Sequence, residues 1–259
     1  MQERVIALEG VENFRDFGGY RTADGRVLRR GRLLRSGHHA GASDTDLGRF
    51  AEMDVRTIVD LRRLSERLAQ PSRRHPGFAG QVIESPDGEP GEAPHITFLR
   101  NTDLTEENAR GFMLDTYRAM PFDARHLDLF RRYFQALEEG EGAVLIHCAA
   151  GKDRTGLLAA LTHHLAGVER EDLLADYLLT NTAVRLEQRA PEVALRIESA
   201  YGRKASDAAV RAFLGVEPGF LEAAFAAIEA RHGSLDAYLE TALGLDAGRR
   251  ARIRERLLD

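Results

Sequence analysis

The sequence of 259 residues contains little cysteine and no long apolar run. Its one cysteine, Cys148, excludes a disulfide within the chain and is compatible with a reducing compartment. No stretch approaches the ~20 apolar residues that a membrane-spanning helix needs, and residues 1–10 lack the apolar run of a secretory signal. We therefore expect a cytoplasmic protein without stable membrane insertion. Export by a route without such a signal would leave no trace in the sequence.

An excess of basic charge is also missing. The chain has 36 Lys and Arg against 41 Asp and Glu, a net charge of -5, so we expect no nucleic-acid partner. The histidine pairs at 38–39 and 163–164 have no acidic or cysteine neighbours at ligand spacing, so we expect no metal and no other cofactor. Apolar residues make up 43% of the chain, enough for a sizeable core.

Strand-like and helix-like segments alternate in the first two thirds of the chain. Short apolar or β-branched runs predict strands at 32–36, 55–61, 82–83 and 143–147. Caps and terminal glycines predict helices over 43–53, 105–119, 123–139 and 153–166. Proline and glycine predict a loop at 86–94, and residues 169–259 are helical in pattern. We expect one α/β domain over 1–259, with a central, mainly parallel sheet flanked by helices and a helical C-terminal part.

Residues 147–156, HCAAGKDRTG, carry the chemistry. They join a predicted strand to a predicted helix, where backbone N–H groups and the helix N-terminus form a nest for an anion such as phosphate. Cys148 opens this loop and Arg154 closes it, so both side chains can reach one bound anion. The residues predicted to bind the substrate phosphate are Ala149, Ala150, Gly151, Lys152, Asp153 and Arg154.

In such a nest a cysteine thiolate is stabilised and can attack phosphorus, forming a covalent intermediate that water then hydrolyses. The arginine fork and the N–H groups stabilise the charge on the equatorial oxygens. We predict supporting roles for His147, which orders the loop, and for Thr155, which hydrogen-bonds the leaving thiolate. A buried, inert cysteine before a solvated helix start would be the plainer interpretation of Cys148 alone.

The whole decapeptide resembles the signature of cysteine-dependent protein tyrosine phosphatases. Further segments resemble the bacterial branch typified by the mycobacterial protein tyrosine phosphatase B; they are NFRDFGGY at 13–20, RSG at 35–37, DLR at 60–62, DYL at 176–178 and YL at 238–239. The first belongs to an N-terminal segment, about 10–40. The resemblance implies a lid-like helical region at about 100–140, most plausibly within 105–120.

The same resemblance implies substrates and products. Phosphotyrosine proteins, phosphoserine or phosphothreonine proteins and phosphoinositides are the implied substrates, and inorganic phosphate is the product. Lys152 and Asp153 are the loop residues linked to this broad substrate specificity, and Lys152 would supply a second cation at the mouth of the site. The alternative is that Lys152 is solvated and has no influence on the choice of substrate.

A leaving alkoxide or phenolate needs a proton donor. Asp87, in the Pro-Asp-Gly segment at 86–88, is our first candidate, because the family's proposed acid occupies a similar loop; a simple turn residue is its alternative. Asp153 is the second candidate for the proton donor, and Asp103 is a more remote candidate. Asp60 is expected to hold a loop or an arginine, and Asn13, Arg15 and Asp16 to brace the loops around the site.

Two other functions fit part of the pattern. A catalytically silent phosphate-binding module would keep the nest but usually loses the cysteine or the arginine, and both are present. Sulfur transfer or arsenate reduction also uses a cysteine and an arginine at this spacing, although arsenate reduction commonly needs a second cysteine that this chain lacks.

Overall fold

The computed structural model describes residues 4–86 and 94–259. Five strands form a sheet in the order β1-β2-β5-β3-β4, in which β1 is antiparallel to β2 and the other pairs are parallel. The strands are β1 Arg15–Asp16, β2 Leu33–Ser36, β3 Val55–Asp60, β4 Gln81–Glu84 and β5 Ala143–His147. Because β5 is central, its carboxyl end brings His147 and the residues that follow to the middle of one sheet edge.

Helices occupy most of the remaining described chain. Those before β5 are α1 Asp44–Glu52, α2 Leu64–Ala69, α3 Pro94–Asn101, α4 Glu106–Ala119 and α5 Ala124–Glu139. Those after β5 are α6 Asp153–Ala166, α7 Arg170–Ala183, α8 Leu186–Tyr201, α9 Asp207–Leu214, α10 Pro218–His232, α11 Leu235–Thr241 and α12 Ala247–Leu257. No described helix has the length and apolar character needed to cross a membrane.

The two faces of the sheet pack into separate cores. Alternate residues of β5 point to opposite faces, so Val144 and Ile146 join the larger core with α5 and α6, whereas Leu145 joins a smaller core with α1. A third cluster, around Leu104 and Ala209, packs α3, α4, α8 and α9 together away from the sheet. This third cluster supports one side of the cavity described below.

The predicted fold class is confirmed. The mainly parallel sheet, the flanking helices and the helical C-terminal part are all present, and β5 and α6 have the predicted bounds. The pattern missed α2 and α3. It also placed Pro94 at the end of a loop, whereas Pro94 begins α3, a position that proline favours because its missing N–H is not needed there.

Buried histidines are expected to make the fold sensitive to acid. Nε2 of His163 donates to the Phe17 carbonyl at 2.7 Å, Nδ1 has no partner among the described residues, and burial lowers the pKa of His163 below its ordinary value. Burial and then Arg125 lower the pKa of His126 to about 3. Below pH ~6.5 these histidines therefore bind protons in the unfolded chain but stay neutral in the folded chain, so the free energy of unfolding falls as the pH is lowered.

The variant His163→Gln tests this expectation. Glutamine keeps a donor for the Phe17 carbonyl but does not titrate, so the dependence of unfolding free energy on pH between 6 and 5 should weaken by up to about 1.4 kcal/mol per pH unit. Urea unfolding at several pH values measures the slope. An unchanged slope in the variant would contradict the assignment of His163 as a neutral buried group.

Candidate active site

The loop after β5 forms the floor of a cavity of about 590 Å³. Cys148 is only 2% exposed, yet it lines this cavity together with Ala149, Ala150 and Arg154. The loop ends where α6 begins, and α6 is buried along most of its length. The unpaired N–H groups of its first turn, and their positive partial charge, therefore lie beside Cys148 in surroundings that screen charge poorly.

In this loop the backbone carbonyl oxygens have hydrogen-bond partners, whereas the backbone N–H groups have none among the described residues. The carbonyl oxygens of residues 149–152 are all occupied: they accept hydrogen bonds from backbone N–H groups of His38 and Gly156 and from side chains of Asn13 and Arg35. The backbone N–H groups of residues 149–154, by contrast, donate to no group within the described chain. A loop whose acceptors are satisfied and whose donors are open is a nest for an anion.

Gly151 permits the sharp bend of this loop. Its φ of +68° lies in the left-handed region, and a Cβ at this position would lie 2.3 Å from the backbone of Ser36. Any other residue would therefore push the loop away from β2.

A buried ionic cluster holds the loop from behind. Asp176 on α7 is paired with Arg15 at 3.2 Å and Arg35 at 2.7 Å. Arg35 also donates to the Gly151 carbonyl at 3.0 Å, and Asn13, which accepts from Arg15, donates to the same carbonyl at 2.8 Å. Burial alone would raise the pKa of Asp176, but the two arginines outweigh it and hold that pKa below its usual range.

The bracing expected of the NFRDFGG segment is thus present for two of its residues. Asn13 touches the loop directly and Arg15 acts through Asn13 and Asp176. Asp16 does not reach the loop: its carboxylate accepts from the backbone N–H groups of Gly18 and Gly31 and closes the N-terminal turn.

Arg154 is held by a residue that the sequence did not single out. Its Nη1 and Nη2 donate to the two carboxylate oxygens of Glu66 at 2.6 and 2.8 Å, and Nη1 also lies 3.3 Å from the Leu61 carbonyl. Burial disfavours the charged guanidinium, but the bonds to Glu66 and the Cys148 charge raise the pKa of Arg154 above its usual value. The pKa of Glu66 falls to about 2 because Arg154 outweighs the effect of burial.

This pairing leaves one edge of Arg154 available. Glu66 occupies the edge formed by Nη1 and Nη2, whereas Nε donates to no described residue. The remaining edge, Nε with the outer hydrogen of Nη2, has the geometry that binds two oxygens of one phosphate. Glu66 itself is fixed at the start of α2, where Oε2 accepts the Arg63 N–H at 2.7 Å.

Lys152 lines the cavity but is not a solvated cation. The residue is 7% exposed, and its ammonium donates to the carbonyl of Phe213 and, at 3.2 Å, to that of Gly215. These carbonyls lie at the end of α9 and just after it. Lys152 is therefore not solvated as that alternative supposed, and its ammonium ties the loop to the C-terminal helices. Whether Lys152 influences the choice of substrate stays a prediction.

The acid candidates are scattered. Asp153 lines the cavity and accepts a hydrogen bond from Tyr117 at 2.9 Å. Asp87, our first candidate, lies outside the described residues and stays a prediction. Asp103 pairs with Arg203 at 2.8 Å and does not line the cavity. Asp123, which the sequence did not suggest, lines the cavity while capping α5 through the His126 N–H.

Asp60 and His147 lie together beneath the loop. Asp60 binds Arg62 through two oxygens, at 2.9 and 2.7 Å, as expected of a residue that holds an arginine, and lies 3.6 Å from Nε2 of His147. The His147 ring packs against that of His39 in a tilted arrangement, with centroids 4.4 Å apart. Thr155 is fully buried, and its hydroxyl has no hydrogen-bond partner among the described residues.

The cavity walls combine aromatic rings and charge. Phe112 on α4 and Phe213 on α9 line it, and both rings stack on Phe98 of α3. Arg63 and Arg125 line another side. The Arg63 guanidinium makes no hydrogen bond or salt bridge in the described chain and interacts with Asp123 and Arg125 through charge. Of the lid-like region at 100–140, α4 lines the cavity, and so does the first turn of α5 through Arg125 and His126. The apolar face of α5 packs into the main core, and whether α4 moves stays a prediction.

Comparison with known proteins identifies relatives along nearly the whole chain. A model of the tyrosine phosphatase family matches residues 6–259. A Cupriavidus necator protein named as a tyrosine-protein phosphatase is 33% identical over 241 residues, 93% of this chain and 85% of that protein. The triple specificity protein phosphatase PtpB of Mycobacterium tuberculosis is 30% identical, over 92% of this chain and 94% of its own length.

Among solved structures, TpbA of P. aeruginosa covers 74% of this chain and 94% of its own, with 20% identity and a TM-score of 0.35. The family match extends over almost the whole sequence, and both relatives match along nearly their full lengths. They confirm the resemblance inferred from the motifs: the chain is a phosphatase and belongs to the tyrosine phosphatase family.

Proposed function

We propose that this enzyme hydrolyses phosphotyrosine in proteins through a phosphocysteine intermediate on Cys148. The observation that carries the proposal is the open set of backbone N–H groups at 149–154, with Cys148 and the available edge of Arg154 lining the same cavity. Donors fixed in this way need no reorganisation when charge develops on a transferring phosphoryl group. A silent binding module would need the nest but not the buried cysteine beside it.

The reaction has two displacements. In the first, the Sγ electron pair of Cys148 forms a bond to phosphorus, the bond from phosphorus to the phenolic oxygen breaks, and that oxygen takes a proton from a carboxylic acid. In the second, a water oxygen attacks phosphorus while a carboxylate takes its proton, and the P–S electron pair returns to Sγ. Arg154 and the N–H groups hold the equatorial oxygens through both steps.

Asp153 and Asp87 are the acids we propose for these proton transfers. Asp153 is supported by its place in the cavity wall, next to Arg154, and by the absence of any described partner on Oδ2. The proposal for Asp87 rests on the resemblance of its loop alone.

Thr155 is proposed to donate a hydrogen bond to the departing thiolate, because its buried hydroxyl otherwise lacks a partner among the described residues. His147 is proposed to order the loop from below.

The cavity wall favours an aryl group next to the phosphate. Phe112, Phe213, Met113 and Met120 give the site an apolar side against which a tyrosine ring can pack. The serine or threonine side chain is shorter and fills less of this wall. We therefore propose phosphotyrosine as the preferred substrate, with slower action on phosphoserine and phosphothreonine. The mycobacterial relative is named as a triple specificity protein phosphatase.

Action on phosphoinositides is the second proposal, and Arg63 favours it. A headgroup with two phosphates needs a second cationic contact beside the nest. The Arg63 guanidinium makes no hydrogen bond or salt bridge in the described chain, and it lies on the cavity wall near Asp123 and Arg125. The pKa of Arg125 falls to about 10 because of burial and the charge of Arg154. Lys152 is less suited to this role, since two carbonyls already hold its ammonium.

Rapid acid quench during turnover of a phosphotyrosine peptide tests the proposed intermediate. We expect a burst of released peptide and a stoichiometric phosphate adduct that peptide mass mapping places on Cys148. Rates on phosphoserine, phosphothreonine and phosphoinositide substrates then establish the order of preference. Tight binding of the peptide without turnover would instead identify a binding module, and a persulfide on Cys148 would identify sulfur transfer.

A further inference from the structure

Two buried tyrosines form a hydrogen-bonded chain that ends on Asp153. The hydroxyl of Tyr177 lies 2.7 Å from that of Tyr117, which lies 2.9 Å from Oδ1 of Asp153. Oδ1 of Asp153 accepts both when the carboxylate is ionised and when its proton is on Oδ2, so Tyr117 donates its single hydrogen to Asp153. Tyr177 must then donate to Tyr117. The chain thus has one direction, from α7 through α4 to the loop.

Packing fixes both rings. Tyr117 is fully buried and Tyr177 is 1% exposed. A Cβ on Gly156 would lie 3.0 Å from the Tyr177 ring, so this glycine in the first turn of α6 lets the ring lie directly against the helix. Burial and the Asp153 charge raise the pKa of Tyr117 well above its ordinary value, so its hydroxyl keeps its hydrogen at every working pH.

The other charged groups around Asp153 do not duplicate this contact. Lys152 Nζ lies 3.7 Å from Oδ1 and is bound to two carbonyls. Arg154 turns toward Glu66, and His95 on α3 and Arg154 interact with Asp153 through charge alone. In the described chain, Tyr117 therefore supplies the one hydrogen bond to this carboxylate, on Oδ1, and Oδ2 is left for the substrate.

We propose that Tyr117, backed by Tyr177, is a positioning residue that holds Asp153 for proton transfer to the leaving oxygen and from the attacking water. The inference rests on the function proposed above. When Asp153 gives its proton to the phenolic oxygen, its carboxylate becomes the better acceptor for the Tyr117 hydrogen. The contact therefore strengthens as the proton leaves, and it fixes which oxygen faces the phosphorus.

The test is Tyr117→Phe, with Tyr133→Phe as a matched control. Tyr133 is also a fully buried tyrosine with one hydroxyl partner, Thr162, but it lies outside the cavity wall. For phenyl phosphate, whose leaving group needs a proton, kcat of Tyr117→Phe should fall about tenfold with KM little changed. For p-nitrophenyl phosphate, with its weakly basic leaving group, the loss should stay within about threefold.

The pH profile gives a second readout. A hydrogen bond donated to a carboxylate favours its ionised form, so removal of the Tyr117 hydroxyl should move the kcat profile to higher pH, whereas Tyr133→Phe should leave the profile in place. Tyr177→Phe should act in the same direction and more weakly. Equal losses on both substrates with an unmoved profile, or effects matching those of Tyr133→Phe, would overturn the proposal.

A double mutant separates this inference from the proposed function. In an Asp153→Asn background, Tyr117→Phe should lower kcat by less than about a further twofold, because the group that Tyr117 positions no longer transfers protons. If wild-type enzyme forms the Cys148 adduct but the two substitutions prove additive, the positioning role alone fails. If wild-type enzyme forms no adduct, the proposed function itself fails.

Discussion

The variant Cys148→Ser is expected to lose phosphatase turnover by roughly 10⁴-fold or more while still binding a phosphotyrosine peptide. A serine hydroxyl occupies nearly the same volume in the 2% exposed site, but at neutral pH it does not ionise to a nucleophile. The nest and the Arg154 edge remain, so the phosphate is still held. Steady-state hydrolysis of p-nitrophenyl phosphate and calorimetric titration with the peptide measure the two properties separately.

The melting temperature serves as the control for this variant. Serine and cysteine differ little in size, so a change of more than a few degrees would mean that the loop itself had rearranged. Full turnover by Cys148→Ser at an unchanged melting temperature would remove the cysteine from the mechanism. Loss of both binding and turnover would mean that the thiolate is needed to shape the nest.

The second large effect is expected for Gly151→Ala. Alanine at a φ of +68° costs about 1 kcal/mol from the backbone alone. Its Cβ would also lie 2.3 Å from Ser36 backbone atoms and 2.6 Å from the Gly37 nitrogen, so the loop must move. We expect kcat/KM to fall about 100-fold or more, because a displacement of about 1 Å at a positioned site has that consequence.

Gly202→Ala is the matched control for Gly151→Ala. Gly202 has nearly the same φ, +65°, but a Cβ there meets no atom within 4 Å. The control should therefore lose only about 2–4 °C in melting temperature and keep full activity. Equal melting temperatures and equal activities for the two variants would show that contact with β2 does not shape the loop.

Much of the fold was available from the sequence because local patterns were strong. The apolar run at 143–147 and the cap and glycine signals around 153–166 gave β5 and α6 their true bounds. The short helix α2 was missed because its six residues are too few for a clear apolar pattern and none of them is buried. The Glu66 carboxylate caps this helix by accepting the Arg63 N–H and also binds Arg154.

The residues of the site also divide into those that the sequence could predict and those that it could not. The spacing from Cys148 to Arg154 is a local property, so the loop and its chemistry could be predicted from ten consecutive residues. Glu66 is 88 positions from Arg154, Tyr117 is 36 from Asp153 and Tyr177 is 60 from Tyr117. No spacing rule in the sequence connects these pairs.

By itself, then, the sequence determined the α/β frame and the strand-to-helix loop that carries Cys148 and Arg154, and it predicted the chemistry of that loop, because each depends on neighbours along the chain. Tertiary structure alone decided which edge of Arg154 is open, that the Lys152 ammonium binds the carbonyls of Phe213 and Gly215, and that a buried tyrosine reaches Asp153. Those outcomes depend on which donors and acceptors burial brings together and must satisfy, and that pairing is settled only when distant segments pack.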